Sequence, residues 1–305
     1  MKRIFYFTLL AYSLVLTGTS CHALVEDEFP NYETRPVLNA LLIADSVFRV
    51  HVSLTANLSD TTPKFVDNAF VIVESEYFTT DTLNYTEEGF YCSRRTVKVG
   101  ETYTCKVIIP GYDQMSATTT VPLPTSIDSV TFTDFAAIDE MGDKISSIEF
   151  RISNDNSDKQ FWEVQLVKDG WMSKYNPQKQ VFEDKYGAIP AYIYMLAGQD
   201  SVLLNEANPL TCFSNIKMRK KFYKVRIYFN SRYVFDNAEA MPYIQLKSTD
   251  ESYYKYVKQY YLYEMAGEIN LGKGTQKYPL YSNVMNGLGV ISGYSITRKE
   301  LIVSH

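Results

Sequence analysis

The sequence predicts a mainly β protein, in which an N-terminal Ig-like β-sandwich precedes a second β-rich domain with one late α-helix. Three observations support this. The 305 residues include 25 Tyr and 17 Phe, which favour pleated strands. Short alternating strands follow one another at about ten-residue spacing over residues 30–124, as in an antiparallel sandwich. Pro122-Leu123-Pro124 disfavours both helix and internal strand, so a domain boundary is expected there, with the second domain at 125–305.

Residues 1–20 are typical of a secretory signal peptide. Met1-Lys2-Arg3 is basic, and the apolar run Ile4–Leu16 is shorter than the about 20 residues that a transmembrane helix needs. The following Leu16-Thr17-Gly18-Thr19-Ser20-Cys21 resembles the lipobox of bacterial lipoproteins, although Gly18 stands where Leu is commonest. Cys21 is therefore the predicted lipid attachment site. The alternative is an ordinary secreted protein that is cleaved nearby, with Cys21 incidental.

Residues 21–29 are expected to form an acidic tether behind the lipid. The run Glu26-Asp27-Glu28 resembles surface-export signals of Bacteroidota lipoproteins, and a merely solvated tether is the alternative. The chain has 30 Lys and Arg against 35 Asp and Glu, a net charge of -5. Removal of residues 1–20 takes away Lys2 and Arg3, which leaves 28 against 35 and a net charge of -7. This balance argues against a nucleic-acid partner held by phosphate contacts.

The strands of the first domain follow in order after the tether. Val50, Val52 and Leu54 alternate with polar residues, which indicates a half-buried strand at the end of an apolar region that begins at Val37. Further strands are predicted at Phe70–Glu74, at Thr79–Leu83, from Gly89 onward, along the face Tyr103, Cys105, Val107 and Ile109, and at Thr118–Val121.

Two cysteines of this domain are candidates for a disulfide. Cys92 and Cys105 lie on strands that the turn region Gly100-Glu101 would join into a hairpin, and a secreted protein meets an oxidising compartment. Strict pairing about that turn would instead place Val107 opposite Cys92, so the disulfide stays open. If it forms, Cys212 is the odd thiol.

The second domain begins at Ile127. Ile148, Phe150 and Ile152 alternate before a polar turn, and Trp162, Val164 and Leu166 alternate after it, so a hairpin is predicted. The alternating run Tyr223–Phe229 is a later strand with Ile244 and Leu246 on its expected partner. A helix is predicted over about 249–265, with Ser248 and Glu251 as a capping box, a core stripe of Tyr254, Val257, Tyr261 and Met265, and Gly267 as its stop.

Several blocks of residues together resemble one known family. They are Asp67–Val73, Glu88–Tyr91, Gly100–Tyr103, Pro110–Tyr112, Thr119–Pro122, Ser252–Tyr256 and Tyr281–Tyr294. These blocks are similar to the Bacteroidota lipoprotein family catalogued as domain of unknown function 4249, over nearly all of residues 22–300. Asn68 departs from the pattern, where Gly is often found. The resemblance implies an outer-membrane lipoprotein whose genes often lie beside those of TonB-dependent transporters, and it supplies no catalytic residue.

The tyrosines of the late helix are the candidate binding residues. Tyrosine occupies positions 253, 254, 256, 260, 261 and 263, too much of the circumference for all of them to be buried. Either the helix lies between two layers of one domain, or some rings face a partner. Tyr253, Tyr256, Tyr260 and Tyr263 are the candidate interface aromatics, because exposed aromatic rings often anchor interfaces.

Three other motifs are weaker. Asn154, Asn156 and Asp158 have the alternate oxygen spacing of a calcium loop, but Gln165 stands where a bidentate Glu would close it, so a plain turn is expected. Gly287-Leu288-Gly289 lacks the further glycine of a nucleotide loop and indicates a tight turn and bulge. Asp60-Thr61-Thr62 resembles a Bacteroidota O-glycosylation sequon in a polar loop.

These observations lead to an expected function. With three His and four Cys, the chain has little material for metal catalysis or a Cys–His pair, and we expect neither enzymatic activity nor a cofactor or metal. The expectation is a lipid-anchored, surface-exposed outer-membrane protein that serves a TonB-dependent uptake system through ligand capture or docking. The alternative is a structural or adhesive surface lipoprotein without a transporter partner.

Overall fold

The computed structural model describes residues 33–57, 60, 62–154, 158–176, 181–206, 211–235, 241–267 and 279–301. The predicted signal peptide, the acidic tether and Cys21 lie outside these residues, as do Asn156 and Thr61. The chain forms two compact units, of which Thr34–Ala56 with Thr62–His305 is the larger. In the other unit, the main-chain N–H of Asn57 donates to the carboxylate of Asp60 at 2.9 Å, which closes a short turn.

The larger unit is built mainly of strands, as predicted. In the first half they are β1 Pro36–Ile43, β2 Val47–Leu54, β3 Lys64–Phe65, β4 Phe70–Ser75, β5 Phe78–Tyr85, β6 Phe90–Thr96, β7 Thr102–Ile108 and β8 Met115–Thr120. In the second half they are β9 Ile127–Ile138, β10 Lys144–Ser153, β11 Phe161–Asn176, β12 Val181–Ala191, β13 Cys212–Ser214, β14 Phe222–Asn230, β15 Tyr243–Thr249 and β16 Ile291–Glu300. The helices are α1 Ser201–Glu206, α2 Ser231–Phe235 and α3 Glu251–Gly267, with a 3₁₀ turn at Ala197–Gln199.

The strands of the described residues form two sheets. A thirteen-stranded sheet has the order β12-β11-β15-β16-β1-β2-β6-β5-β4-β7-β8, with β13 on β11 and β3 on β2. A three-stranded sheet has the order β14-β10-β9. The large sheet therefore runs through both halves of the unit.

The first core lies within the curved first half of the large sheet. Alternate residues of β2 and β7 are buried there, including Val50, Val52, Tyr103, Cys105 and Val107, as the period-two pattern predicted. Strand β5 pairs with β6 at one end and with β4 along the rest, so the sheet folds over on itself around this core. The Ig-like topology remains a prediction.

The second core lies between the two sheets. The small sheet contributes Ile148, Phe150 and Ile152 from β10, and the large sheet contributes Trp162, Val164 and Leu166 from β11. The predicted hairpin of these two strands is wrong, because β10 pairs with β9 and β14, whereas β11 pairs with β12, β13 and β15. Their apolar faces meet across the core instead of along a shared ladder, which buries the same residues.

The expected pairing of the Tyr223–Phe229 strand is also wrong. Strand β14 pairs with β10, while β15, which carries Ile244 and Leu246, pairs with β11 and β16 in the other sheet. Both strands contribute to the second core. Their apolar side chains therefore face each other without main-chain hydrogen bonds between the strands.

Strand β16 joins the two halves. Its residues Ile291–Tyr294 pair in parallel with Ala40–Ile43 of β1. From Tyr294 to Glu300 it pairs antiparallel with β15. The last described strand of the chain thus holds the first strand and the second half in one sheet.

The segment before β16, residues 284–290, closes the first half, and we call it the closing segment. On one side, Met285 exchanges main-chain hydrogen bonds of 2.8 and 3.3 Å with Ser116 of β8. On the other side, Leu288 donates to the carbonyl of Pro36 at 2.9 Å and accepts from Leu38 at 2.8 Å. Val284 is buried in the first core. The division of the chain at residue 124 stays a prediction, although the first core draws on the C-terminal region.

Glycines allow this segment to approach β1 closely. Gly289 has φ +110°, and a Cβ there would overlap the carbonyl oxygen of Leu38 and lie 2.8 Å from Oδ1 of Asn39. A Cβ on Gly287 would meet Met115 and lie 3.1 Å from the carbonyl oxygen of Pro36. Asn286 also has a positive φ, +56°. This tight turn is the predicted role of Gly287-Leu288-Gly289.

Helix α3 lies where the sequence predicted it, with a different cap. The N-cap is Asp250, whose Oδ1 accepts the main-chain N–H of Tyr253 at 2.8 Å. The predicted cap, Ser248, belongs to β15 and is buried, where its hydroxyl accepts the main-chain N–H of Thr125 at 2.9 Å. The predicted core stripe is wrong, because Tyr254, Val257 and Tyr261 are only half-buried, Met265 is 49% exposed, and none of the four belongs to either core.

Candidate functional site

A two-stranded arm extends from the large sheet. Strand β15 pairs with β11 only over Phe161–Val167, whereas β12 follows β11 to Asn176. Within the described residues, Lys168–Asn176 therefore has a partner strand on one side alone. At about 3.4 Å per residue this ribbon is roughly 30 Å long. We call it the β11–β12 arm.

One face of the β11–β12 arm is aromatic. The register pairs Trp171 with Tyr186 and Tyr175 with Phe182, so all four rings lie on the same face. The ring centroids are 5.4 Å apart in the first pair and 5.2 Å apart in the second. Between them, Ser173 donates a hydrogen bond to Asp184. The four side chains are 46–72% exposed, so they form a continuous aromatic surface in solvent.

The opposite face of the arm is different in composition. There Met172 pairs with Lys185, Lys174 with Glu183, and Gly170 with Gly187. This face carries charges of both signs and two positions without side chains. The arm thus presents one aromatic face and one mixed polar face.

The candidate tyrosines of α3 are divided between two surfaces. Tyr260 and Tyr263 are 44% and 49% exposed, and Tyr256 stacks on Tyr260 with centroids 6.0 Å apart. These three form a second exposed aromatic surface. Tyr253 points inward, where its hydroxyl donates to Glu163 and its ring packs edge-on against Tyr294. Burial, followed by the charge of Glu163, raises the pKa of Tyr253.

Two ion pairs lie close to α3. Lys247 of β15 contacts Glu163 of β11 at 3.0 Å, with both side chains no more than 15% exposed. Lys258 of α3 pairs with Glu206 at the end of α1, which also accepts the main-chain N–H and the hydroxyl of Ser214, both at 2.9 Å. Glu206 is the most deeply buried of these charges, with its side chain 3% exposed. The pair of Lys258 with Glu206 attaches α3 to α1, and the hydrogen bond from Tyr253 to Glu163 attaches it to the sheet.

The three cysteines among the described residues are free thiols. Cys92, Cys105 and Cys212 are unbonded, and the hairpin that would have placed Cys92 near Cys105 does not form, because β5 and β4 lie between β6 and β7. The possible disulfide between Cys92 and Cys105 therefore does not form. Burial raises the pKa of Cys105 to about 12, and it also raises the pKa of Cys212. Both buried thiols are thus protonated at neutral pH and poorly reactive.

The motif with the spacing of a calcium loop, for which a plain turn was expected, has a structural role at its first residue. The side-chain amide of Asn154 donates to the carbonyl of Lys220 at 3.0 Å, and its Oδ1 accepts from Asn215 at 3.0 Å. Asn156 lies outside the described residues. Among the residues described, no group of three or more His, Cys, Asp or Glu is placed to hold a metal ion. No helix of this part of the chain is long and apolar enough to cross a membrane.

The sequence reasoning missed the aromatic arm. The signal was present as Trp171, Ser173 and Tyr175, followed by Phe182, Asp184 and Tyr186, which place aromatic rings at period two on each side of a short connection. The pairing of these two runs was the missing information. Of the residues predicted, Cys21 lies outside the described part of the chain.

Comparison with known proteins gives one finding. The model of the family described as "Domain of unknown function (DUF4249)" matches residues 24–300. A search of curated proteins found no match. The matched range includes all sixteen strands and the three helices.

Proposed function

Because the chain belongs to the family described as Domain of unknown function (DUF4249), we propose that it is a lipid-anchored outer-membrane protein that docks onto a TonB-dependent uptake system. Cys21 is the lipid attachment site in this proposal, and residues 21–29 are the tether. The body that follows is the docking module. The surface-exposed orientation belongs to the same proposal.

The observation that carries the docking role is the aromatic face of the β11–β12 arm. The large rings of this face are exposed to water; they belong to Trp171, Tyr175, Phe182 and Tyr186. Burial of these rings in an interface would be favourable by about 25 cal/mol per Å² of apolar surface. Trp and Tyr are also the residues that most often dominate interface energies. A partner protein is therefore a natural occupant of this face.

The construction of the arm supports the same role. A two-stranded ribbon has little stability of its own, and here it is extended from a packed sheet at the core residues Trp162, Val164 and Leu166. The buried base fixes the direction of the arm, while the exposed end stays accessible.

The test is a pull-down of tagged full-length protein from its own outer membrane in mild detergent, with quantitative mass spectrometry of the bound proteins. Near-stoichiometric recovery of a TonB-dependent barrel is expected. The variant Trp171→Ser with Tyr186→Ser removes one cross-strand aromatic pair and should lower that recovery at least about tenfold, because interface aromatics often contribute about 2 kcal/mol or more each.

The matched control is the neighbouring cross-strand pair on the opposite face, Met172→Ser with Lys185→Ser. It changes the same strands at adjacent positions and should leave recovery unchanged. An equal loss in both variants would mean that the integrity of the ribbon matters and not its aromatic face. Recovery of the wild-type protein without any barrel would contradict the docking role and favour the structural or adhesive alternative.

A further inference from the structure

A cleft of about 500 Å³ lies beside the second core. It is bounded by the start of α1, from Asp200 to Val202, and by residues from Lys217 to Tyr223, which precede and begin β14. Clefts of this volume accommodate small organic molecules. The cleft shares no residue with the β11–β12 arm.

The cleft is basic in an acidic protein. Lys217, Arg219 and Lys220 line it, although the whole chain carries a net charge of -5. Within the described residues, the side chains of these three cations have no carboxylate partner, whereas most of the lysines and arginines on the neighbouring strands are paired, as Lys224 and Arg226 are with Glu149. Unpaired cations gathered at one cleft attract anions.

The main chain of this segment is held in place by hydrogen bonds from Asn154. The carbonyl oxygen of Lys220 accepts from the side-chain amide of Asn154 at 3.0 Å. The carbonyl of Lys221 accepts the main-chain N–H of Asn154 at 2.7 Å. The basic residues are thus presented from a fixed backbone, which lowers the entropy that binding has to overcome.

Tyr223 forms part of the cleft wall. Its hydroxyl is shielded from water, so it is not open to a ligand in the cleft. Burial and the neighbouring carboxyl group of Asp200 raise the pKa of Tyr223, which keeps the side chain uncharged at neutral pH.

From the cleft and its unpaired cations, we infer a binding site for a phosphorylated ligand of about the size of a sugar. Arg219 is suited to bidentate binding of phosphate, and Lys217 and Lys220 add point charges.

Asp200 can bind the sugar part of such a ligand, in addition to the cations that bind its phosphate. Its Oδ1 accepts the main-chain N–H groups of Val202 and Leu203 at 2.8 and 3.1 Å, which offset its charge. The carboxylate can then accept hydrogen bonds from sugar hydroxyl groups. A soluble sugar phosphate and the phosphorylated head group of a membrane lipid share this chemistry.

Calorimetric titration of the full-length chain in nonionic detergent tests the site and its source. Glucose 6-phosphate is compared with glucose, and dihexanoylphosphatidylglycerol with dihexanoylphosphatidylcholine. Binding that requires the phosphate, with a preference of at least about tenfold over glucose, supports the site and a soluble ligand. A tenfold preference for the phosphatidylglycerol over the neutral lipid, with the same dependence on the cleft residues, supports the site and a lipid source.

Variants distinguish binding in the cleft from non-specific electrostatic attraction to the protein. Arg219→Gln and Lys220→Gln should each weaken binding about tenfold, as loss of a charge-assisted hydrogen bond does. The matched control is Lys299→Gln, which removes one exposed positive charge on β16, outside the cleft. It should leave the affinity unchanged.

Absence of binding to both phosphorylated probes, or equal weakening by Lys299→Gln, would overturn the site. None of these outcomes bears on the docking proposal.

Discussion

Asp250 links three elements through its carboxyl group and its main-chain N–H. Its Oδ1 caps α3, its Oδ2 accepts a hydrogen bond from Thr119 of β8, and its main-chain N–H donates to Gly293 of β16 at 3.1 Å. Burial raises the pKa of Asp250 from 3.8 to about 6, although these hydrogen bonds lower it. The charged form is therefore disfavoured in the folded protein at the place where the first half meets the helix.

This pKa predicts a pH dependence of stability. A raised carboxyl pKa contributes stability that is complete below the unfolded value and is lost as the pH rises through the folded value, here from about 4 to about 6. The shift corresponds to roughly 3 kcal/mol at most. In Asp250→Asn the neutral side chain keeps an oxygen for the helix cap, so the variant should gain stability relative to wild type over this interval.

Denaturant unfolding of both proteins between pH 3.5 and 7.5 measures this difference. Other carboxyl groups titrate in the same interval, but they are shared by the two proteins and cancel in the comparison. Parallel curves for the wild type and Asp250→Asn would rule out the assignment of the raised pKa to this residue.

Cys21 is the residue on which the proposed location depends. Cys21→Ala removes the thiol that would carry the lipid, and each methylene of a lipid chain contributes about 0.8 kcal/mol to membrane binding. The variant should therefore move from the membrane fraction to the soluble fraction. Quantitative immunoblotting of the two fractions measures it, with Cys92→Ala as the control because Cys92 is a free thiol of β6. Retention of Cys21→Ala in the membrane fraction would refute lipid anchoring.

At the scale of elements, the sequence predicted which residues form strands better than it predicted their partners. The alternation of Tyr103, Cys105 and Val107 identified the buried face of β7 because side-chain direction follows from the period of a strand. The same pattern contains no information on the neighbouring strand. Strands β10 and β11 show this, since their buried faces meet across a core and satisfy the alternation as well as a hairpin would.

The aromatic face of the arm and the cleft were not predicted, because each depends on which segments of the chain lie side by side. The aromatic face of the arm requires Trp171 opposite Tyr186, and the cleft requires α1 beside the segment before β14. Neither contact is local in the sequence. The exposed tyrosines of α3 were predictable because a helix brings residues such as Tyr256 and Tyr260 together within one turn.

The close approach of the closing segment to β1 predicts that one added methyl group destabilises the protein. In Gly289→Ala the new Cβ would overlap the carbonyl oxygen of Leu38, and φ is +110°, so the segment must move away from β1. Overlap with fixed main chain should cost several kcal/mol, beyond the about 1–2 kcal/mol of a positive φ. Chemical denaturation measures the change in the free energy of unfolding.

Gly142→Ala is the matched control for this substitution. Gly142 also has a positive φ, +87°, but a Cβ there meets nothing within 4 Å. Gly142→Ala should therefore lower the free energy of unfolding only by the about 1–2 kcal/mol that a positive φ costs. If the two variants were equally destabilised, the close approach of the closing segment to β1 would not be what Gly289 provides.

At the scale of the whole molecule, the two cores share one sheet. β16 pairs with β1 through Ile291–Tyr294 and with β15 through Tyr294–Glu300, and the closing segment completes the first half from the same region. Neither half keeps all its strand partners when the other unfolds. The halves should therefore unfold together, although the Pro122-Leu123-Pro124 stretch divides them in sequence.

Hydrogen exchange followed by mass spectrometry tests this cooperativity. Amides of β7 in the first half and of β10 in the second should exchange with the same free energy of opening, because both require loss of the common sheet. In Gly289→Ala the added Cβ would meet Leu38 and Asn39 of the first half, yet the substitution should lower both values equally, whereas in two independent domains β10 would keep its wild-type protection. Protection that falls in β7 and stays unchanged in β10 would therefore show that β16 tethers two separately stable domains instead of coupling them.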